Sequence, residues 1–409
     1  MADKGLIERL RAMVREIEER CPEPRWGTLD VAEKPAPKRA RAIPHPEPEW
    51  ITMEETPEYR EISVLYKMGT VPWLEPCLPD SLQGLRSLEA CLEGLDDWLY
   101  LDIETTGLIG AATFAFLIGL GVWRNDGFLV TQYLLTDRSG EEALLQAVRE
   151  ALDSHPTLVT FNGKTFDMPV LQSRFVLSGM RPPAGPPCHL DLLSVARNMG
   201  KLSQYGYGLK DSITRFAGVE RHGDIAGNLI PALYFIYERE RDITILEPVM
   251  KHNRLDVLDM ACLARALGAV VTASSHRPRD PLALSSAGKM HFRKGNLDLA
   301  RKCLETASAE GHCGQDKKAL LAQVMRRQGD WEAARTIWED SIASGMGTVD
   351  DYLWLARYHE LQGDGLEKGL EIVQEALRRF GASGEKARSS LEKRESRLLR
   401  RIHAAQKRA

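Results

Sequence analysis

Asp102 and Glu104 close the apolar run Trp98-Leu99-Tyr100-Leu101, Asp167 ends Asn162-Gly-Lys-Thr-Phe-Asp167, and Asp256 lies one helical turn after His252. Side chains alternate along a strand, so Asp102 and Glu104 share one side of a sheet. Carboxylates held together lose hydration and repel, and an oxygen-preferring divalent cation is the simplest compensator. With Asp102 and Glu104 on a strand, Asp167 at a helix start and Asp256 on a later helix, the four acids can hold a pair of Mg²⁺ or Mn²⁺ ions. A two-metal site of that kind suits in-line attack on a phosphodiester. His252 shares a helix face with Asp256. It reads either as the base that takes a proton from the attacking water or as a surface partner of Asp256.

The elements that must carry these residues are legible in the apolar pattern. Strands are predicted over 98–103, 113–122 and 128–135, with tight turns at Gly107 to Gly110 and Asn125-Asp126-Gly127, which implies an antiparallel meander. A helix over 140–152 precedes a buried strand, Thr157 to Phe161, and Asp167 opens a helix over 168–179. Further helices are expected over 208–216, 232–240 and 246–268, the last burying Val249, Val257, Met260, Leu263 and Leu267. The architecture is a mixed sheet flanked by helices. Thr105, Gly107, Asn162, Lys210 and Arg254 are candidate substrate contacts. Each also has an ordinary reading: a turn for Thr105, Gly107 and Asn162, a solvated surface for Lys210 and Arg254. His189 and Asp191 form either a supporting pair or part of the core.

In their order, D-x-E, N-x-x-x-F-D and H-x-x-x-D resemble the three motifs of the DEDD superfamily of 3′→5′ exonucleases, over residues 95–270. The segments Cys188-His-Leu-Asp-Leu-Leu193, Gly208-Leu-Lys-Asp211, Asp224-Ile-Ala-Gly227 and His252-Asn253-Arg-Leu-Asp256 narrow the resemblance to the bacterial YprB type. The chain departs from the superfamily at one point: Lys251 stands five before the last Asp, where histidine-type members place His, and His252 takes the tyrosine-type position. The resemblance implies a ribonuclease-H-like α/β fold, two divalent metal ions and release of 5′-mononucleotides from DNA with a single-stranded or frayed 3′ end. It also implies a role in DNA repair beside a helicase or other protein partner. RNA as substrate, and a catalytically silent nuclease-fold scaffold acting through its C-terminal third, are the alternatives.

That C-terminal third repeats. Lys294-Gly-Asn-Leu297, Gln328-Gly-Asp-Trp331 and Gln362-Gly-Asp-Gly365 recur at a spacing of 34, as do Gly288, Ala322 and Ala356. This is the period of tetratricopeptide helix pairs, with small residues where helices touch. Ala300 and Ala334 continue the pattern and Lys368 breaks it, so two regular repeats, a degenerate third and a basic capping helix are expected. The domain plan is a helix and Pro-rich linker or strap over 1–80, the nuclease domain over 95–270, repeats over 282–380 and a basic helix or tail over 381–409.

The whole chain carries a net charge of −4, unlike a protein that coats nucleic acid. Eleven Lys or Arg against three Glu between Leu377 and Ala409 make that segment +8 and the remainder −12. A solvated helix and a phosphate-contacting tail explain the run equally well. Seven scattered cysteines without a C-x-x-C pair argue for reduced thiols in a cytoplasmic protein. The charged start, Met-Ala-Asp-Lys-Gly, and the lack of a membrane-length apolar span point the same way.

Overall fold

The structure, a computed structural model, describes residues 41–42, 47–56, 58–69, 85, 98–107, 113–199, 206–221, 224–273, 280–309, 314–362, 365–381 and 384–407. The helix expected at the start of the 1–80 segment, the prolines up to Pro44 and those at 46, 57, 72, 76 and 79, positions 108–110 of the predicted turn and residues 274–279 lie outside the described residues. The chain divides into two compact units, residues 1–279 and 280–409.

The first unit is built on a seven-stranded sheet. Its strands, with a separate short β1 at Arg41–Ala42, are β2 (Glu49–Glu55), β3 (Tyr59–Lys67), β4 (Trp98–Thr105), β5 (Ala115–Arg124), β6 (Gly127–Leu135), β7 (Thr157–Thr160) and β8 (Cys188–Asp191). Their order is β2-β3-β6-β5-β4-β7-β8. Neighbours from β2 through β4 run antiparallel, and β4, β7 and β8 run parallel. β1 pairs with β9 (Val219–Glu220). The meander and the strand after it fall where the apolar pattern puts them. The expected linker or strap gives way at residues 49–67 to two strands, β3 pairing with β6 along its whole length. Alternating apolar residues Ile62, Val64 and Tyr66, all buried, place β3 in the sheet rather than over it.

Around the sheet lie α1 (Glu141–Ser154), α2 (Asp167–Leu177), α3 (Leu192–Asn198), α4 (Leu209–Ala217), α5 (Ile230–Glu240) and α6 (Glu247–Val271). All but one residue of β5 before its final Arg124 are buried, the mark of a strand covered on both faces. Helix α6 can lie close to β5 because Gly119 and Gly121 leave room. A Cβ at Gly119 would sit 2.3 Å from Asn253 Oδ1, and one at Gly121 would sit 2.6 Å from a Val257 methyl. Phe116 stacks on Tyr234 of α5 with ring centroids 4.2 Å apart, fixing a second helix to the same strand.

The second unit is all helical: α7 (Pro281–Lys294), α8 (Leu297–Ala309), α9 (Gln315–Arg327), α10 (Trp331–Ala343), α11 (Val349–Gln362), α12 (Leu366–Phe380) and α13 (Glu385–Gln406). Small residues occupy the close crossings. Ala300, Ala322, Ala334 and Ala356 are fully buried, and a Cβ on Gly288 would clash with Leu304. In the third pair that place belongs to Gly369, which faces the Ala356 carbonyl, one residue beyond the position the 34-residue register assigns. Helix α13 buries Leu391, Leu398 and Ile402. Three of its basic residues are not free: Glu360 of α11, 3% exposed, receives Arg394 at 2.8 Å, Arg397 at 2.9 Å and Arg401 at 2.5 Å. No helix among the described residues is long and apolar enough to cross a membrane.

Candidate active site

Strand β4 delivers Asp102 and Glu104 on the side away from Leu101, Ile103 and Thr105, all buried. Asp167 arrives from the turn between β7 and α2. That turn needs Asn162 at φ 71°, a left-handed conformation that Asn tolerates. Gly163 follows, where a Cβ would lie 2.5 Å from the Thr160 side chain. Asp191 holds the turn by accepting from the amides of Asn162 (2.9 Å), Leu193 (3.1 Å) and Lys164 (3.2 Å). His189 bonds Thr160 at 2.9 Å, and burial, with Lys164 nearby, pulls its pKa down to about 4. Asn162 and Asp191 therefore shape the turn that presents Asp167, whose own Oδ1 accepts from the Ile103 amide at 3.2 Å.

Helix α6 supplies the other side of the site. His252 Nε2 lies 3.5 Å from Asp256 Oδ2 and 3.8 Å from Glu104 Oε1. Asn253 donates to the Asp102 carboxylate at 2.8 Å and to its carbonyl at 3.2 Å. Gln132 of β6 donates to Asn253 Oδ1 at 2.7 Å and to the Met250 carbonyl at 2.9 Å, which orients the amide. The structure thus brings Glu104, His252 and Asp256 together and joins Asp102 and Asp167 to them through Asn253 and the Ile103 amide.

Burial and neighbouring acids raise the carboxyls of the site together. Burial pushes Asp102 far above the usual carboxylate range, and the charges of Asp256, Glu104 and Asp167 add to it. Burial likewise raises Glu104, with Asp256, Asp167 and Asp224 reinforcing it. Asp167 is pushed up to about 7 by burial, two backbone hydrogen bonds notwithstanding. Hard oxygen donors crowded this way fit a divalent cation, whose charge would relieve the mutual repulsion that raises these values.

Beside them is a cationic framework the sequence did not disclose. Arg221, its side chain fully buried, bonds Asp256, Asp259 (2.9 Å) and Asp224 (2.6 Å), and donates to the His252 carbonyl at 3.2 Å. Asp224 also takes Lys210 at 2.5 Å and His252 Nδ1 at 2.9 Å. Though burial opposes it, these partners hold Asp224 well below the usual carboxylate range. Asp224, His252 and Asp256 bring three ligand atoms within 4.8 Å of one another. Asp224 already pairs with Lys210 and Arg221 and accepts from His252 Nδ1 and the Ile225 amide, however, so Arg221 accounts for that convergence. Asp224 stood in a recognisable segment without a role. Arg221 lies in an irregular stretch, and no local pattern marks it.

The remaining substrate candidates are placed as follows. Thr105 is buried and donates to the Gly107 carbonyl at 2.7 Å, closing the turn after β4, while the space above Gly107 is open. Lys210 is half-exposed beside Asp224. Arg254 bonds Gln132 at 3.0 Å and lies over the Trp50 ring at 5.4 Å, tying α6 to β6 and β2. Cys188 is disulfide-bonded, against the expectation of reduced thiols throughout; Cys262 and Cys303 are buried thiols outside any disulfide.

A mixed sheet with a long helix laid across it and four acids at their meeting is the frame of a ribonuclease-H-like domain. Residues 99–268 match the family model RNase_H_2 of the RNase_H superfamily. The chain is 30% identical over 308 residues to the "Uncharacterized protein YprB" of Bacillus subtilis (strain 168), covering 74% of each. Among solved structures, it is similar to the family B DNA polymerase of the hyperthermophilic archaeon Pyrobaculum calidifontis, at 13% identity and a TM-score of 0.36. That likeness covers 56% of this chain and 29% of the polymerase. The chain belongs to the YprB family, within the RNase H superfamily.

Proposed function

We propose that the chain is a metal-dependent 3′→5′ exonuclease that hydrolyses phosphodiester bonds of DNA and releases 5′-mononucleotides. The observation that carries this reading is the convergence of acids from β4, α2 and α6 with the Nε2 of His252 facing two of them. Asp102, Glu104, Asp167 and Asp256 would hold two Mg²⁺ or Mn²⁺ ions, which would supply Lewis-acid stabilisation of charge at the phosphoryl oxygens and ease deprotonation of water. His252 takes the proton from the attacking water at Nε2. Lys210 stands at the exposed side of the site, able to meet a phosphate. The segment Thr105 to Gly107 leaves open space for a terminal nucleotide. The preference for a single-stranded or frayed 3′ end, a cytoplasmic location and a part in DNA repair follow the YprB-type resemblance. The C-terminal helix pairs, read as tetratricopeptide-like repeats, are the docking surface for a helicase or other protein.

The test is incubation of the protein with 5′-labelled single- and double-stranded DNA and RNA in Mg²⁺, Mn²⁺ or EDTA. A ladder shortening from the 3′ end of DNA, absent in EDTA, is expected. Cleavage of RNA alone would change the substrate, and internal cuts would overturn the directionality. No cleavage in either metal would overturn the enzyme reading.

A further inference from the structure

Asp224 is not one of the four acids, yet it makes the most constrained contacts near them. Both of its oxygens lie 2.9 Å from His252 Nδ1. Lys210 and Arg221 hold the same carboxylate from its other sides, at 2.5 and 2.6 Å to Oδ2.

The contacts of Nδ1 decide which ring nitrogen of His252 is the acceptor. A carboxylate can only accept, and both oxygens of Asp224 lie 2.9 Å from Nδ1, so Nδ1 carries the ring hydrogen and donates to Asp224. Arg221 Nη2, 3.2 Å from Nδ1, has the His252 carbonyl as an oxygen acceptor at the same distance, and its ion pair with Oδ2 keeps the Asp224 carboxylate charged. In the neutral ring Nε2 is then the acceptor, on the side facing Asp256 and Glu104.

Resting on the nuclease reading above, we infer that Asp224 is the positioning residue for His252. Held in place by Lys210 and Arg221, it fixes the ring and its tautomer so that Nε2 is free to accept a proton. In the step, the water oxygen bonds to phosphorus, one of its protons goes to His252 Nε2, and the bond to the departing 3′ oxygen breaks. That oxygen leaves with the electron pair and takes a proton from solvent to become the 3′-hydroxyl. Asp224 keeps its hydrogen bond to Nδ1–H and takes no proton, stabilising the imidazolium that forms. Arg221 ties this pair to Asp256, so one buried guanidinium sets both the base and the fourth acid.

The experiment uses the full chain with ¹⁵N-labelled histidine, metal-free in EDTA at alkaline pH, read by long-range ¹H–¹⁵N correlation. The His252 signals are assigned by their loss in His252→Gln. A protonated Nδ1 and an unprotonated Nε2 are expected in the unsubstituted protein. Asp224→Asn should mix or reverse that pattern. In metal, its kcat on single-stranded DNA should fall about 10- to 100-fold with KM little changed. Asp224→Glu, which restores an acceptor, should recover part of kcat. An Nε2–H tautomer in the unsubstituted protein would overturn the inference, and so would an Asp224→Asn protein with unaltered signals and kcat. The first arm needs no variant, so it decides even if Asp224→Asn does not fold. An unsubstituted protein that shows the expected tautomer but cleaves nothing would refute the nuclease reading and leave the geometry of the pair standing.

Discussion

Asn253 donates to both the carboxylate and the main-chain carbonyl of Asp102, and so keys the helix of His252 and Asp256 to the strand of Asp102 and Glu104. Gly119 makes the approach possible and Gln132 orients the amide. Removing the amide with Asn253→Ala leaves the Gln132 donor and the Asp102 acceptor short of partners in a buried place. That should cost about 1–3 kcal/mol of stability. Cleavage should fall with it, because α6 is no longer registered on β4. Urea unfolding followed by an activity assay checks this, and a variant with unaltered stability and rate would dismiss the keying role.

Gly119→Val should do similar damage by a different route. Its side chain would meet Asn253 and Val257 well inside van der Waals contact. Overpacking of a tight core costs about 1–3 kcal/mol. A protein with the parent's midpoint in urea would show that α6 can retreat from β5 without penalty.

For the acids, Asp102→Asn and Asp256→Asn should abolish cleavage while leaving the fold intact, and calorimetric titration should show weakened Mn²⁺ binding. EDTA should act on the parent protein as these substitutions do. Full activity of either variant would remove that residue from the site.

The pH dependence of stability has a defined sign. Burial pushes Asp167 and Asp259 up to about 7, and raises Asp102 and Glu104 as well. A carboxyl whose pKa is raised by folding binds more protons folded than unfolded. Its contribution is complete below the unfolded value, near 4, and is lost as pH rises through the folded value. Asp224 and His189 have the opposite sign. The depressed value of Asp224 confines its effect to more acidic solution. His189, pulled down to about 4, contributes stability that grows as pH rises to the unfolded value of about 6.5, but it is one group against four raised carboxyls. Metal-free protein should therefore melt at a lower temperature at about pH 8 than at about pH 5.5. Mn²⁺ should raise Tm more at the higher pH, where protons no longer compete for the acids. A flat or rising metal-free profile over that window would contradict the charge crowding described here.

In the helical unit, Glu360→Ala should loosen α13 by about 1–3 kcal/mol, since three arginines lose one buried acceptor. Hydrogen exchange along residues 385–406 reports it directly. Protection equal to that of the parent would mean Leu391, Leu398 and Ile402 suffice to hold the helix.

The elements that carry Asp102, Glu104, Asp167 and Asp256 were legible in the sequence because each is a local signal: a strand end, a helix start, an i and i+4 pair. The meander and, except for α3, the helices of the first unit were legible for the same reason. Arg221 and Asp259 were not, since their meaning lies in contacts between an irregular stretch and α6 far along the chain. Residues 49–67 are strands and not a strap, because the pairing of β3 with β6 is non-local and leaves no mark on a composition dominated by proline. The close crossing falls at Gly369 and not at Lys368 because the third pair is one residue out of the 34-residue register.

The pairing of Tyr59–Lys67 with the whole of β6 bears on how this protein can be handled. The family match begins at residue 99, which invites a fragment that starts there. Such a fragment would bare nine consecutive residues of β6, Gly127 to Leu135, as a long flat edge with Phe128, Val130 and Leu134 on its apolar side. Unpaired edges of that kind recruit other strands. The upstream segment is thus a built-in guard against self-association, and fragments lacking it should precipitate where those starting before Glu49 stay dispersed.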